Sequence, residues 1–256
     1  MVGVEFIGRL GNQMFTYAFA RMIMEQREEK TFIANFKRCG HKQETEDDGL
    51  SCFNVLPFST VDYDIILRKG SMLQKAAYLI YVLLGRIPVI GHSDKFMSYL
   101  ERWLRKVDIH ITGAADSAYR ANRTKKSVFI RGYFQDKLFF DDIRPVLLRE
   151  FTPILPPLEH NKALYKAAAQ PGSVCVHVRR GDFLSNIYKK DFYVCTPEYF
   201  QKAIRMMCQR VKCTCFIFFS DDIEWVRKHL YVDGYPCFYE RGNDPAWEIM
   251  RLMSSC

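Results

Sequence analysis

The stretch Val174-Cys175-Val176-His177-Val178-Arg179-Arg180-Gly181-Asp182 decides the reading of this chain. Its apolar part, Ser173 to Val178, reads as a strand, and the strand runs directly into two guanidinium groups, a glycine and a carboxylate. Arginines at a strand end present rigid, permanently charged forks of donors, a geometry suited to a phosphate or diphosphate. Side chains alternate along a strand, so His177 and Arg179 share one face and Arg180 turns away. Arg179 is therefore the expected phosphate ligand, and Arg180 a brace for Asp182 or for the loop. A plain surface ion pair of Arg180 with Asp182 is the competing reading. An adhesion role for Arg180-Gly181-Asp182 sits poorly with a strand exit.

Outward from that strand the pattern alternates. A helix over about 161–169 precedes it. A second, Pro197 to Arg210, follows, with Thr196 as N-cap and Pro197 in the first position. Then come a strand at Thr214 to Phe219, the polar run Ser220-Asp221-Asp222, a helix through Trp225 to His229, and a short strand at Pro236 to Tyr239. A last helix starts near Asp244-Pro245. Its pattern (Glu248, Ile249, Leu252, Met253) is still running where the chain stops at Cys256, which reads as a cut end. This rhythm implies a parallel sheet covered on both faces.

The first half opens the same way. A strand at Val2 to Ile7 leads through Gly8-Arg9-Leu10-Gly11 into a helix from about Asn12 to Glu29, then a strand at Thr31 to Ala34. Cys39 to Ser51 is polar and reads as loop. Residues 64–84 and 94–106 read as helices, Val128 to Tyr133 as a strand, and Phe139 to Phe151 as a helix with Pro145 in its first turn or at a kink. Thr152-Pro153-Ile154-Leu155-Pro156-Pro157 is the linker signal, and divides the chain into domains 1–155 and 156–256.

The composition belongs to a folded chain that needs neither disulfides nor metal. Of 256 residues, 48% are hydrophobic and 26% charged. The net charge of +8 is spread over both halves with no basic arm. It is compatible with an anionic membrane face or a phosphorylated small ligand. Nucleic acid is set aside, because no aromatic platform interleaves with the basic residues. Nine cysteines, odd in number and irregular in spacing, read as reduced thiols of a cytoplasmic protein. The most apolar window, Ala76 to Leu84, is too short to span a bilayer. It reads as a buried helix, or, with Arg68, Lys69, Lys75 and Arg86 around it, as a helix lying on a membrane surface.

Ligands of parallel sheets bind beyond the carboxyl ends of the strands, and three polar clusters fall there. Gly8 to Gln13 offers backbone N–H groups, a helix N-terminus and the charge of Arg9 to an anion; a turn capped by Asn12 is the bland alternative. Arg179 to Asp182 is the second cluster. The third, Ser220 to Asp222, pairs two carboxylates that could hold a divalent metal, accept the N–H groups of a guanine, or cap a helix.

Together these segments resemble the bacterial-type α-1,2-fucosyltransferases of glycosyltransferase family 11. That family opens with Gly-Arg/Gly-Leu/Phe-Gly-Asn-Gln-Met-Phe-x-Tyr-Ala, here Gly8 to Ala18. Its central His-Val-Arg-Arg-Gly-Asp-Tyr/Phe is His177 to Phe183, and its Phe-Ser-Asp-Asp-x-x-Trp is Phe219 to Trp225. Gly132-Tyr133-Phe134-Gln135 and Asn243-Asp244 are similar too. The resemblance implies a GT-B-like α/β fold, two Rossmann-like lobes with the donor site in the cleft between them. It implies transfer of L-fucose, with inversion, from GDP-β-L-fucose to the 2-hydroxyl of a galactose-terminated oligosaccharide or glycolipid. Lobe 1–155 would bind the acceptor and 156–256 the GDP-sugar. His177 and Arg179 would hold ribose and diphosphate. Arg9, Gly11 and Asn12 would approach from the first lobe, and Ser220, Asp221 and Asp222 would meet the guanine. Neither metal nor cofactor is expected. Asp182 is a candidate general base and equally a loop brace. The cysteine usage sets the expected location in the cytoplasm, with peripheral contact at the inner membrane face as the alternative reading of the Ala76–Leu84 window. A further C-terminal block of the family does not occur before Cys256. Transfer of another sugar or to another hydroxyl, and an inactive nucleotide-sugar or glycan binder, are the alternatives.

Overall fold

The computed structural model describes residues 1–37, 49–111, 126–184 and 194–256, without the side chains of Lys37 and Asp182. Most of the polar stretch Cys39 to Ser51 thus lies outside the described residues. The chain divides into two compact units, Met1–Thr152 and Pro153–Cys256, and both are α/β with parallel sheets.

In the first unit β1 (Val2–Ile7) enters α1 (Leu10–Arg27), and β2 (Phe32–Lys37) and β3 (Phe58–Thr60) follow. Next come α2 (Ile65–Lys69), α3 (Met72–Gly85), α4 (Pro88–Gly91) and α5 (Asp94–Arg105). Then β4 (Ile109–Ile111), β5 (Val128–Arg131) and α6 (Arg144–Glu150) complete the unit. The sheet order is β3-β2-β1-β5-β4, parallel throughout. The chain moves outward from β1 through β2 to β3, then crosses to the far edge, so the strand order reverses beside β1.

One face of this sheet packs on α1, where Phe19 and Tyr17 meet His110 and Phe32. The other packs on α2, α3 and α5 through Ile65, Tyr78, Leu104 and Phe129. A Cβ on Gly3 would lie 2.8 Å from Ile65 and 2.9 Å from Phe129, so the bare glycine lets α2 approach β1 closely. Residues 64–84, read as one helix, are two. Asp64 caps α2, Gly70 ends it, and Ser71 and Gln74 form a capping box that restarts the chain as α3. Pro145 does sit in the first turn of α6. Glu150 at the end of α6 accepts from Tyr17 Oη at 2.6 Å and pairs with Arg21 Nε at 2.9 Å, which fastens α6 to α1.

In the second unit α7 (Lys162–Ala168) precedes β6 (Ser173–Val178). α8 (Pro197–Arg210), β7 (Cys215–Ser220), α9 (Ile223–His229), β8 (Cys237–Tyr239) and α10 (Ala246–Met253) follow in order. The sheet is β6-β7-β8, parallel. Every residue of the central strand β7 is buried. Phe216 and Phe218 pack with Ile204 of α8 and Val226 of α9, while Ile217 and Phe219 pack with Leu164 of α7 and Leu252 of α10. Burial on both faces explains the unbroken apolar run Cys-Phe-Ile-Phe-Phe.

The proline-rich stretch after Thr152 is docked on this unit: Arg251 Nη2 donates to the carbonyl of Pro153 at 3.0 Å. Glu248, fully buried on α10, accepts from Leu158 N, Asn161 Nδ2 and Tyr165 Oη at 2.9–3.0 Å. α10 ends at Met253 rather than running to Cys256. Ser254 and Ser255 turn their hydroxyls back onto the carbonyl of Arg251, at 2.8 and 2.9 Å.

Glu240, just after β8, is also fully buried. Its Oε1 accepts from Asp244 N at 3.4 Å, and its Oε2 has no hydrogen-bond partner. Burial raises its pKa above the usual carboxyl value. A raised folded-state pKa contributes stability that is present below the unfolded value, about 4.3, and is lost as pH rises through the folded one. Glu240→Gln removes that dependence. Thermal melts of the variant and the parent should therefore diverge in the variant's favour as pH rises from about 4 to 7. A difference in Tm that stays constant with pH would show that Glu240 titrates alike in both states.

Candidate functional site

β6 and β7 pair with Val178 opposite Ser220, so the residues that follow each strand leave the sheet level with one another. Arg179 then stands beside Asp221, and Arg180 beside Asp222. Arg179 Nη1 meets Asp221 Oδ2 at 3.0 Å. The backbone N–H of Arg180 donates to the other oxygen of Asp221 at 2.9 Å. Arg180 Nε donates to Asp222 Oδ2 at 3.2 Å, and its guanidinium lies over the Trp225 ring, 3.6 Å from the centroid. Asp222 Oδ1 caps α9 by accepting from Trp225 N at 3.4 Å, and Ser220 Oγ accepts from Asp222 N at 2.9 Å. Each carboxylate thus orders a loop as well as a guanidinium.

Gly181 is required by this arrangement, since a Cβ there would stand 2.7 Å from Asp221 Oδ2. Arg179 also lies 5.5 Å from the centroid of the Phe183 ring. His177, opposite Phe219 on β6, is exposed. Neighbouring protein atoms that strip its solvation lower its pKa; the Arg179 guanidinium adds to this and the Asp221 carboxylate opposes it. The ring is therefore neutral at neutral pH, able to donate from one nitrogen and accept at the other.

The first unit carries its own cluster, where the strand order reverses beside β1. Gly8, at φ +80°, makes the turn out of β1 that a side chain would strain. A Cβ there would also strike Asn12 Nδ2 at 2.4 Å. Arg9 takes the N-cap position of α1, with no side-chain cap, and is exposed. Asn12 is inside the first turn and does not cap the helix; its Oδ1 accepts from Gln135 Nε2 at 2.8 Å. Thr16 Oγ1 donates to the carbonyl of Gly132 at 2.7 Å. Phe134, held at a positive φ of 45°, stacks on Phe19 with centroids 4.1 Å apart. The Gly132–Gln135 turn beyond β5 therefore lines the same sheet end as Gly8–Asn12. Gly11 is exposed, and a Cβ there would meet nothing within 4 Å, so the packing of the chain does not ask for a glycine.

His177, Arg179, Ser220, Asp221 and Asp222 are thus brought together on one sheet edge, and Arg9, Gly11 and Asn12 on another. Asp182 opens the short turn Asp182–Leu184, but its side chain lies outside the described atoms. Arg180 braces Asp222 and Trp225. Trp225 and Gln135 were not singled out as site residues, although both stand inside motifs that the sequence displays. Among the described residues no three His, Cys, Asp or Glu side chains converge as a metal-holding group.

A family model for glycosyl transferase family 11 matches residues 1–256. The chain is similar to an α-1,2-colitosyltransferase of Escherichia coli, 29% identical over 233 residues, which cover 90% of this chain and 71% of that one. It is similar to the galactoside 2-α-L-fucosyltransferase Sec1 of Mus musculus, 32% identical over 184 residues, 65% of this chain and 46% of that one. Among solved structures it is similar to the NodZ α-1,6-fucosyltransferase soaked with GDP-fucose, at 12% identity and TM-score 0.45, over 98% of this chain and 82% of that one. The match over the full length, with the opening, central and Ser-Asp-Asp segments each at a strand end, places this chain in glycosyl transferase family 11.

Proposed function

We propose that this chain transfers L-fucose from GDP-β-L-fucose to the 2-hydroxyl of a galactoside in glycan biosynthesis, inverting the sugar carbon in a single displacement. The observation that carries the reading is the crossed pairing of Arg179 and Arg180 with Asp221 and Asp222 at the ends of β6 and β7. It holds a guanidinium in place beside a neutral imidazole where parallel sheets bind ligands. The similarity to galactoside 2-α-L- and α-1,2-sugar transferases supports the linkage.

In this reading the second unit binds the donor. The acceptor hydroxyl attacks the anomeric carbon, the carbon–oxygen bond to the diphosphate breaks, and its electron pair passes to the departing GDP. Arg179 stabilises that developing charge, a role a divalent metal fills elsewhere. The diphosphate shares or competes for the guanidinium donors that Asp221 engages. His177 reaches the ribose. Ser220, Asp221 and Asp222 stand where a guanine would meet them, and Asp222 would exchange its contact with Arg180 for the base. Asp182 is positioned in sequence to take the acceptor proton. Arg9, Gly11 and Asn12 line the strand end of the first unit, which takes the acceptor, an oligosaccharide or glycolipid ending in galactose. A different donor sugar is the second reading, favoured by the colitosyltransferase relative.

Arg179→Ala should lower transfer from GDP-fucose to a β-galactoside by about 10²–10³-fold with an unchanged melting curve. Normal turnover would remove Arg179 from the phosphate role. NMR of the wild-type product separates the two readings: an α-1,2-linked fucose is expected, and turnover only with another GDP-sugar would replace the donor. Gly11→Ala should melt no lower than the parent, because the added methyl meets open space, yet lose roughly tenfold or more in transfer where backbone and ligand come close. Full activity in that variant would exclude Gly11 from the ligand site.

A further inference from the structure

Helix α3 is apolar on both its inner and outer sides, interrupted by Gln74 and Lys75 in its first turn, and the described residues cover its inner side. Ala77, Tyr78, Tyr81 and Val82 face the core of the first unit. Met72, Leu73, Leu79, Ile80 and Leu83 face outward and are exposed, Met72 by 82%. Ala76, also exposed, completes the outer stripe: residues 72, 76, 80 and 83 follow the three- and four-residue spacing of one helix face. The stripe continues through exposed Ile87 into α4, whose Val89 is 86% exposed. A run of this kind is larger than the scattered apolar residues of an ordinary surface and marks an interaction face.

Charge identifies the partner. Residues 67–106 carry eight lysines and arginines against two acids, and one of those acids, Glu101, is buried. Arg68, Lys69, Arg86, Lys95 and Arg102 are exposed on the segments that carry or adjoin the stripe. Two copies of this chain pressed together through the stripe would set basic rim against basic rim. An anionic lipid surface instead meets the apolar stripe with its acyl boundary and the basic rim with its headgroups, while the long basic side chains reach up to the phosphates. The helix does not cross the bilayer. Its 14 residues span about 21 Å against a hydrocarbon core of about 30 Å, and among the described residues no helix is long and apolar enough to cross a membrane.

We propose that α3 and α4 form a docking face for an anionic lipid bilayer, lying in the interface with Ile80, Leu83 and Val89 inserted and Arg68, Lys69 and Arg86 on the headgroups. This inference stands on the first unit alone and does not depend on the donor chemistry.

The test is co-sedimentation of the full chain with vesicles of phosphatidylglycerol and phosphatidylcholine, against vesicles of phosphatidylcholine alone. Binding is expected to the anionic vesicles and to weaken with salt. Each charge reversal, Arg68→Glu, Lys69→Glu or Arg86→Glu, is expected to weaken it roughly fivefold or more. The pair Ile80→Glu and Leu83→Glu, at exposed positions, should abolish binding with the circular dichroism spectrum kept. Val89→Trp supplies a readout that needs no disruptive change: its emission should shift to the blue and be quenched by brominated lipid. Failure of the parent chain to sediment with anionic vesicles overturns the proposal. So does a Val89→Trp emission unmoved by lipid, or a dimer in solution that Leu83→Glu converts to monomer, which would make the stripe a contact between protein copies.

Discussion

The pairing of Val178 with Ser220 governs the edge of the second sheet on which the candidate site of that unit is built. Because β6 and β7 are parallel and end level, the two residues after each strand emerge side by side. Arginines follow one strand and aspartates the other, and they cross-link the two loops through three contacts of 2.9–3.2 Å. A shift of one residue in register would send each side chain to the opposite face and separate the pairs. Gly181 is the cost of that closeness, since Asp221 occupies the space a side chain would need. The arrangement is charge-balanced as it stands. It therefore orders two guanidinium groups without leaving them to repel one another, and in the proposed reading an anion would meet donors that are already placed.

The fold was legible wherever the local code and the tertiary packing agreed. The bounds of β1, β6 and α8 coincide with those read from the chain, because an apolar run or a Thr-Pro start marks them directly. The break at Gly70 was not read, because an apolar pattern runs straight across a capping box that only the backbone reveals. β3 and β4 were missed because three-residue strands carry too little pattern to stand out. At the site, alternation along β6 groups Arg179 with His177. It said nothing of Asp221, whose partnership with Arg179 arises from pairing across 42 residues of sequence separation. The role of Trp225 as a platform under Arg180 was hidden for the same reason: a motif shows which residues recur together, not which plane stacks on which charge.

Membership of glycosyl transferase family 11 gives these local arrangements a common purpose, and it also separates what is general from what is particular. The three strand-end segments belong to the family pattern. The exposed outer stripe of α3 is read from this chain alone. The buried carboxylates of Glu240 and Glu248 belong to a different layer of the design. Glu240 orders the loop after β8 by accepting from Asp244 N, and Glu248 ties helix α10 to Leu158, Asn161 and Tyr165 at the start of the second unit.

The measurement that bears most directly on the central claim, that Arg179 grips a diphosphate, is the ³¹P spectrum of GDP titrated with the protein. The account predicts that both phosphorus resonances move as the wild-type chain binds, that they move alike with Asp182→Asn, and that they stay at their free positions with Arg179→Ala. Equal displacement of the resonances by Arg179→Ala would contradict it.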